Sequence, residues 1–365
     1  MKLTADETVR AAEFFTQAIT RLATRPVRIM EVCGTHTVAI FRNGIRQLLP
    51  PAVELVSGPG CPVCVTPNEY LDKAIAYSRQ PNVIITTFGD MLKVPGSQST
   101  LMAERAQGAD IRIIYSPLDS LQIASDNPEK SVIFLAVGFE TTAPTAAAVI
   151  LQAERQPITN FFVLSSHKLV PPAVRALLAA DDIRVDGFLL PGHTAVISGL
   201  APYLFIAGEY QVPSVVTGFE ALDILQGIYM LLKQITAGTA ELDNQYRRVV
   251  KPEGNEAARN ILEQVYQPAA AVWRGLGEIP NSGLALRQQY AGFNAEVKLP
   301  LPPLLTREPA GCRCGDVLCG KIEPASCPHF AQGCTPEHPV GACMVSVEGA
   351  CAAWFRYGQG RWNYA

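Results

Sequence analysis

From Val27 to about Thr236 the chain repeats one pattern, a short apolar run followed by a stretch with helical spacing. The runs are VRIMEV from Val27, VIITTF from Val83, IRIIY from Ile111, VIFLAV from Val132, FFVL from Phe161, GFLL from Gly187 and PSVVT from Pro213. Strands covered by helices on both faces are apolar throughout and do not alternate, so the pattern predicts an α/β fold on parallel sheets. The runs are too many for one small sheet, and they divide near Asp126 into two parallel-sheet α/β domains, residues 26–125 and 126–236. Gly138-Phe139-Glu140 returns as Gly218-Phe219-Glu220, each at the end of a run, a weak internal echo of that division.

Outside this region the alternation fades. Thr4 with Glu7 three residues later makes a capping box, and Val9, Phe14, Phe15, Ile19 and Leu22 continue it as a helix to about Arg25. After about Ala237 the chain reads as helix and polar loop, and Pro300-Leu301-Pro302-Pro303 leads into a cysteine-rich tail. Residues 1–25 and 237–365 are therefore assigned to a third unit, mostly helical and loop.

A chain of 365 residues can bury a substantial core without a metal to fold it. Thirty basic and 33 acidic residues leave a net charge of -3 with no block of like charge, which argues against nucleic acid or an anionic membrane as partner. The opening MKLTADETVRAAEFF has acidic groups and no apolar core of a signal peptide, so the expected compartment is the cytoplasm. There, ten cysteines point to metal binding or redox catalysis more than to a disulfide framework. Cys33, Cys61 and Cys64 lie early, seven more fall between Cys312 and Cys351, and none lies between the two groups, so two thiol sites are expected.

Cys33-Gly34-Thr35-His36-Thr37 follows a strand and opens a helix, where an open α/β sheet binds its ligands and where a helix terminus favours a thiolate. The plainer alternative is a buried structural cysteine. Cys61-Pro62-Val63-Cys64 is a CxxC before Thr66-Pro67-Asn68-Glu69, which reads as an N-cap, a proline and an acid opening a helix. Such a pair can form a reversible disulfide, while half of a zinc knuckle is the competing reading; no second CxxC completes one. Asp90, Glu140 with Thr141, His167 and the Leu190–Thr194 loop also end predicted strands, although any of them could be helix capping. No phosphate loop, dinucleotide fingerprint or nucleophile elbow is present.

The tail holds Cys312, Cys314, Cys319, Cys327, Cys334, Cys343 and Cys351 at irregular spacing. Both zinc and iron–sulfur clusters use sets of four such thiolates; the absence of paired CxxC knuckles favours iron–sulfur.

CGTHT, GPGCPVC, TTFGDM, GFETTAPT and the tail's GACMVS and EGACAA together resemble the HypD family of NiFe-hydrogenase maturation proteins, over nearly the whole chain. The resemblance implies a scaffold on which the Fe(CN)2CO unit of the hydrogenase is assembled with a small HypC-type chaperone and a HypE-type cyanide donor, serving the hydrogenase large subunit indirectly. It implies a 4Fe-4S cluster on Cys312, Cys327, Cys334 and Cys351 with a redox pair Cys314 and Cys343 beside it, although exchanging Cys312 with Cys314, or Cys343 with Cys351, satisfies the spacing equally; Cys319, the least family-like of the ten cysteines, is given no role. On this basis Cys33, with Cys64, is expected to ligate the iron under assembly. The cluster and the dithiols Cys314/Cys343 and Cys61/Cys64 are expected to supply electrons. His36, Thr37, Asp90, Glu140 and Thr141 would supply hydrogen bonds or proton transfer around the diatomic ligands. The alternatives are an iron–sulfur-dependent protein thiol–disulfide reductase and a zinc-stabilised interaction protein.

Overall fold

A computed structural model describes residues 4–358. Two parallel sheets carry the chain. In the first the strand order is β2 (Val53–Ser57), β1 (Val27–Glu31), β7 (Gly187–Pro191), β8 (Ser214–Thr217) and β9 (Leu242–Asn244). In the second it is β4 (Asp110–Ile113), β3 (Val83–Thr87), β5 (Ser131–Gly138) and β6 (Phe161–His167). All pairings within both sheets are parallel.

The reason the strands read as unbroken apolar runs is visible in β1 and β5. Ile29 belongs to the core under one face of the first sheet, and Met30 to the core under the other. Phe134 and Leu135 divide in the same way between the two faces of the second sheet. Every side chain of such a strand needs apolar partners, so neither face can be polar. One continuous core, containing Met30, Val56, Ile85, Leu135 and Phe188, touches both sheets and the cysteine-rich tail.

The chain leaves the first sheet after β2, builds all of the second, and returns as β7, which pairs with β1 with Met30 opposite Phe188. The expected division near Asp126 separates β4 from β5, which lie in one sheet with β3 between them, so the sheets do not follow it. Continuous apolar strands look alike in sequence, and nothing local marks which sheet a run will join.

The N-terminal helix forms as expected, Ala5–Leu22 with Thr4 as its cap, and it packs through Ile19 and Phe15 against the helix Ala221–Ala237 on the first sheet. It therefore packs on the first sheet, whereas from sequence it is grouped with the tail; residues 1–3 and 359–365 lie outside the described residues. The stretch after Ala237 also carries β9 and an antiparallel hairpin, β10 (Tyr266–Trp273) and β11 (Gly277–Leu286). Pro268, Pro280 and an alanine run hide this hairpin from a propensity reading, and a bulge between Ala269 and Ala271 accommodates it. Its β11 leans on the outer edge of β6, where Leu169 N–H donates to Ser282 O at 2.8 Å. Among the described residues no helix is long and apolar enough to cross a membrane.

Candidate functional site

The carboxyl ends of both sheets and the cysteine-rich tail meet at one place. Cys33 stands there, extended at φ -151°, as the residue before the helix Gly34–Arg42. It is 1% exposed. Gly60 closes over it: Gly34 N–H donates to Gly60 O at 2.9 Å, and a Cβ on Gly60 would lie 2.1 Å from Cys33 N. The Cys33 sulfur stands 3.7 Å from His193 Nε2. Glu31, two residues earlier, accepts the Cys33 backbone N–H at 3.2 Å and the Thr37 hydroxyl at 2.5 Å.

Burial sets the protonation of this group. It pushes the Cys33 thiol up to about 12, with the carboxylates of Glu348 and Glu31 adding in the same direction. It pushes Glu31 up to about 7 and both His36 and His193 down to about 4. The thiolate expected from the helix terminus is thus not the resting form. A helix end contributes about 1 kcal/mol at most sites, while removing a charge from water costs several, so desolvation wins.

His36 and Thr37 support the thiol without presenting their side chains to it. His36 Nε2 lies 2.9 Å from Gly218 O and 3.0 Å from Thr217 Oγ1, at the end of β8. Its ring stacks on Phe219 at 4.7 Å, and His193 stacks on Phe219 at 4.8 Å. The imidazole nearest the sulfur therefore comes from the Leu190–Thr194 loop, because β7 is the strand that pairs with β1. The sequence showed that loop but not its neighbour.

A cavity of about 450 Å³ opens beside Thr35, Asp90, Thr141, His193 and Glu348. Asp90 and Thr141 reach it from the ends of β3 and β5, as expected of strand-end residues. Glu140 is instead buried, accepts Val170 N–H at 2.9 Å with one carboxylate oxygen while the other lacks a partner, and is pushed up to about 7 by burial. It anchors the helix Val170–Leu178 and does not line the cavity. Glu348 comes from the tail and was not foreseen; Thr35 donates to it at 2.7 Å. A Cβ on Gly34 would lie 2.4 Å from Glu348 O, so only glycine lets the tail reach the site.

Cys61 and Cys64 form a disulfide across the short helix Pro62–Val65, and both are buried. That helix packs on the helices Cys314–Leu318 and Ala342–Val345, which carry Cys314 and Cys343. Its expected cap at Thr66 is not made; Thr66 bonds back to Pro62 O, and the next helix starts at Asn68 behind Pro67. Cys64 can ligate a metal only once this disulfide opens.

In the tail, Cys312, Cys314, Cys343 and Cys351 form an unbroken line of side-chain contacts, and Cys334 lies in electrostatic reach of Cys312 and Cys327. All are free thiols. Cys319 stands apart and donates to Gly275 O at 3.5 Å. Among the described residues no three Cys, His, Asp or Glu side chains are already arranged around a single ion. The tail's cysteines, most of them buried, are a donor set that suits a soft metal or a cluster larger than one ion.

These features define a class: a two-sheet α/β protein with a buried thiol at the sheet ends, a disulfide behind it and a sulfur-rich tail behind that. The family model HypD, described as the hydrogenase formation hypA family, matches residues 10–358. The chain is 47% identical over 344 residues to the hydrogenase maturation factor HypD of Rhodobacter capsulatus, covering 93% of this chain and 91% of that protein. It is 47% identical over 339 residues to the factor of the same name from Escherichia coli (strain K12), covering 92% and 91%. A putative hydrogenase expression/formation protein of Methanocaldococcus jannaschii is 42% identical over 331 residues, covering 91% of this chain and 92% of that protein. The chain belongs to the HypD family of hydrogenase maturation factors.

Proposed function

We propose that the protein holds the iron of a NiFe-hydrogenase active site while cyanide and carbon monoxide are attached to it, with Cys33 as the protein's thiolate ligand. The observation that carries this reading is the buried Cys33 thiol, 3.7 Å from a neutral imidazole, beside a cavity lined by six separate stretches of the chain. Iron is the substrate here. To bind it the thiol must lose its proton, and His193 Nε2 is the acceptor at hand. An imidazole pushed down to about 4 cannot keep that proton near neutral pH, so it passes on to solvent through the cavity.

Asp90, Thr141, Thr35 and Glu348 offer hydrogen-bonding groups toward the diatomic ligands. Thr37 fixes Glu31 beneath Cys33, and His36 braces Phe219 and so the plane of His193. Cys64 joins the iron after its disulfide is opened by two electrons and two protons. A HypC-type chaperone would cover the cavity and add its own thiol, and a HypE-type protein would deliver cyanide.

Cys312, Cys327, Cys334 and Cys351 would hold a 4Fe-4S cluster, which supplies single electrons at low potential when bound. Cys314 and Cys343 lie in contact with the outer pair of the thiol line, and their helices touch the helix of the Cys61–Cys64 disulfide. Electrons would then pass from the tail through Cys314/Cys343 to Cys61/Cys64, toward Cys33.

The test is infrared spectroscopy of anaerobic Cys33→Ala purified with its chaperone. Bands of iron-bound cyanide and carbon monoxide should vanish; undiminished bands remove Cys33 from the site. The standing disulfide beside the tail thiols also favours a second reading, a protein thiol–disulfide reductase. That reading predicts turnover of a disulfide-bonded protein and no infrared bands in the wild type.

A further inference from the structure

Arg274 is 6% exposed, yet its guanidinium has one carboxylate partner, Glu308, whose side chain is 57% exposed. A cation taken out of water this far is costly unless its donors are all used. Arg274 places three of its guanidinium hydrogen bonds on the exit of the Cys61–Cys64 helix and a fourth on Glu308. Its backbone N–H donates to Val65 O at 2.9 Å, Nε and Nη2 donate to Thr66 O at 3.1 and 2.9 Å, and Nη2 also reaches Asn68 Oδ1 at 2.5 Å. Nη1 donates to Glu308 at 2.6 Å. The carbonyls of Val65 and Thr66 are those a four-residue helix leaves without partners at its end, and Pro67 offers no side chain to cap the next helix. One arginine therefore completes the turn that holds the disulfide.

The next residue ties that turn to the tail. Gly275, at φ +83°, packs its backbone on Gly315, one residue after Cys314; a Cβ there would lie 2.3 Å from Gly315 Cα. Arg274 and Gly275 thus form a rigid spacer, gripping the disulfide turn with one residue and the Cys314 helix with the other. A lysine could keep the charge but could not reach Thr66, Asn68 and Glu308 together, since that needs a planar fork.

We infer that Arg274 is a positioning residue for electron passage, fixing the Cys61/Cys64 turn against the helix that begins at Cys314. The inference rests on the relay reading above. In the step it serves, the Cys61–Cys64 S–S bond breaks and a Cys314–Cys343 S–S bond forms, and two protons move from the second pair of thiols to the first. Dithionite then reduces the new disulfide in the experiment that follows.

Full-length protein, prepared anaerobically with Cys61–Cys64 oxidised, is given dithionite, quenched in acid at intervals and alkylated. Mass spectrometry then counts label at Cys61 and Cys64. Arg274→Gln and Arg274→Lys should both slow labelling by about tenfold or more, since an ångström of misplacement can cost that much. Direct reduction by a water-soluble phosphine should be unchanged. Glu308→Gln, at a partner more than half exposed, should slow the relay less and serves as the decisive variant if the Arg274 variants do not fold. Cys314→Ser should be slow if the relay exists. Wild-type rates in Arg274→Gln, or full rescue by lysine, with Cys314→Ser slow, overturn the role of Arg274 and leave the relay standing. Should the Arg274 variants not fold, a wild-type rate in Glu308→Gln overturns it. A wild-type rate in Cys314→Ser overturns the relay and the inference together.

Discussion

The Cys33 thiol and its neighbours set a pH dependence that can be signed in advance. In the free protein burial holds Cys33 protonated well past neutrality, and His193 is already without its proton. If Cys33 is the iron ligand proposed above, loading iron would release one proton, and a released proton makes binding tighter as pH rises. Apparent affinity should climb about tenfold per pH unit between about pH 6 and 8, read by anaerobic competition with a ferrous chelator. Glu31, pushed up to about 7, becomes anionic over the same range and steepens the slope if its charge favours the cation. A flat profile would mean that Cys33 does not give up its proton to the metal. Cys33 itself was legible from its place after a strand and before a helix. His193 and Glu348 were not, because their relevance depends on β7 pairing with β1 and on a glycine letting the tail approach, contacts between residues more than 150 apart in sequence.

Among the elements, seven of the nine strands of the two sheets were readable from their continuous apolar runs, even the edge strand β4, whose Ile113 is exposed; the three-residue β9 was not. β2 was not: Glu54 breaks its run on an edge strand, directly after Pro50-Pro51. The hairpin was not either, since its prolines and small residues satisfy no strand propensity and its stability comes from leaning on β6. The tail's docking is likewise a matter of packing. Its last described helix, Ala350–Tyr357, lies on the helix Gly34–Arg42 with Trp354 edge-on to Phe41 at 5.3 Å. Trp354 is almost fully buried, so Trp354→Ala removes a large ring and leaves a void, a loss of about 3–5 kcal/mol. The consequence should be local first: the tail swings off, carrying Glu348 away from Thr35 and the C-terminal thiols away from Cys61/Cys64. Limited proteolysis should cut this variant within residues 309–358 well before the sheets are attacked. Equal resistance in variant and wild type would show that the tail is held elsewhere.

For the whole molecule the interleaved strand order governs what can fold alone. The second sheet is contiguous in sequence, β3 to β6, and the helices Asn68–Ser78, Pro117–Asp126, Ala143–Arg155 and Val170–Leu178 that flank it come from the same stretch. The first sheet is split: β1 and β2 wait for β7, β8 and β9, with the whole second sheet looped out between them. Closing a long loop costs only slowly more as it lengthens, so this order is tolerable for stability, but it delays the pairing of β1 until its distant partners exist. A fragment of residues 66–180 should therefore give a cooperative melt by circular dichroism. A fragment of residues 26–125 should not, because β1 lacks β7 and β3 lacks β5, leaving two exposed apolar edges and half of each core. Since the first sheet also carries Cys33, Cys61/Cys64 and His193, the thiol site can form only after the second sheet has folded and the chain has come back to it. A cooperative melt from residues 26–125 would break that order and with it the account of why the site sits where the two sheets meet.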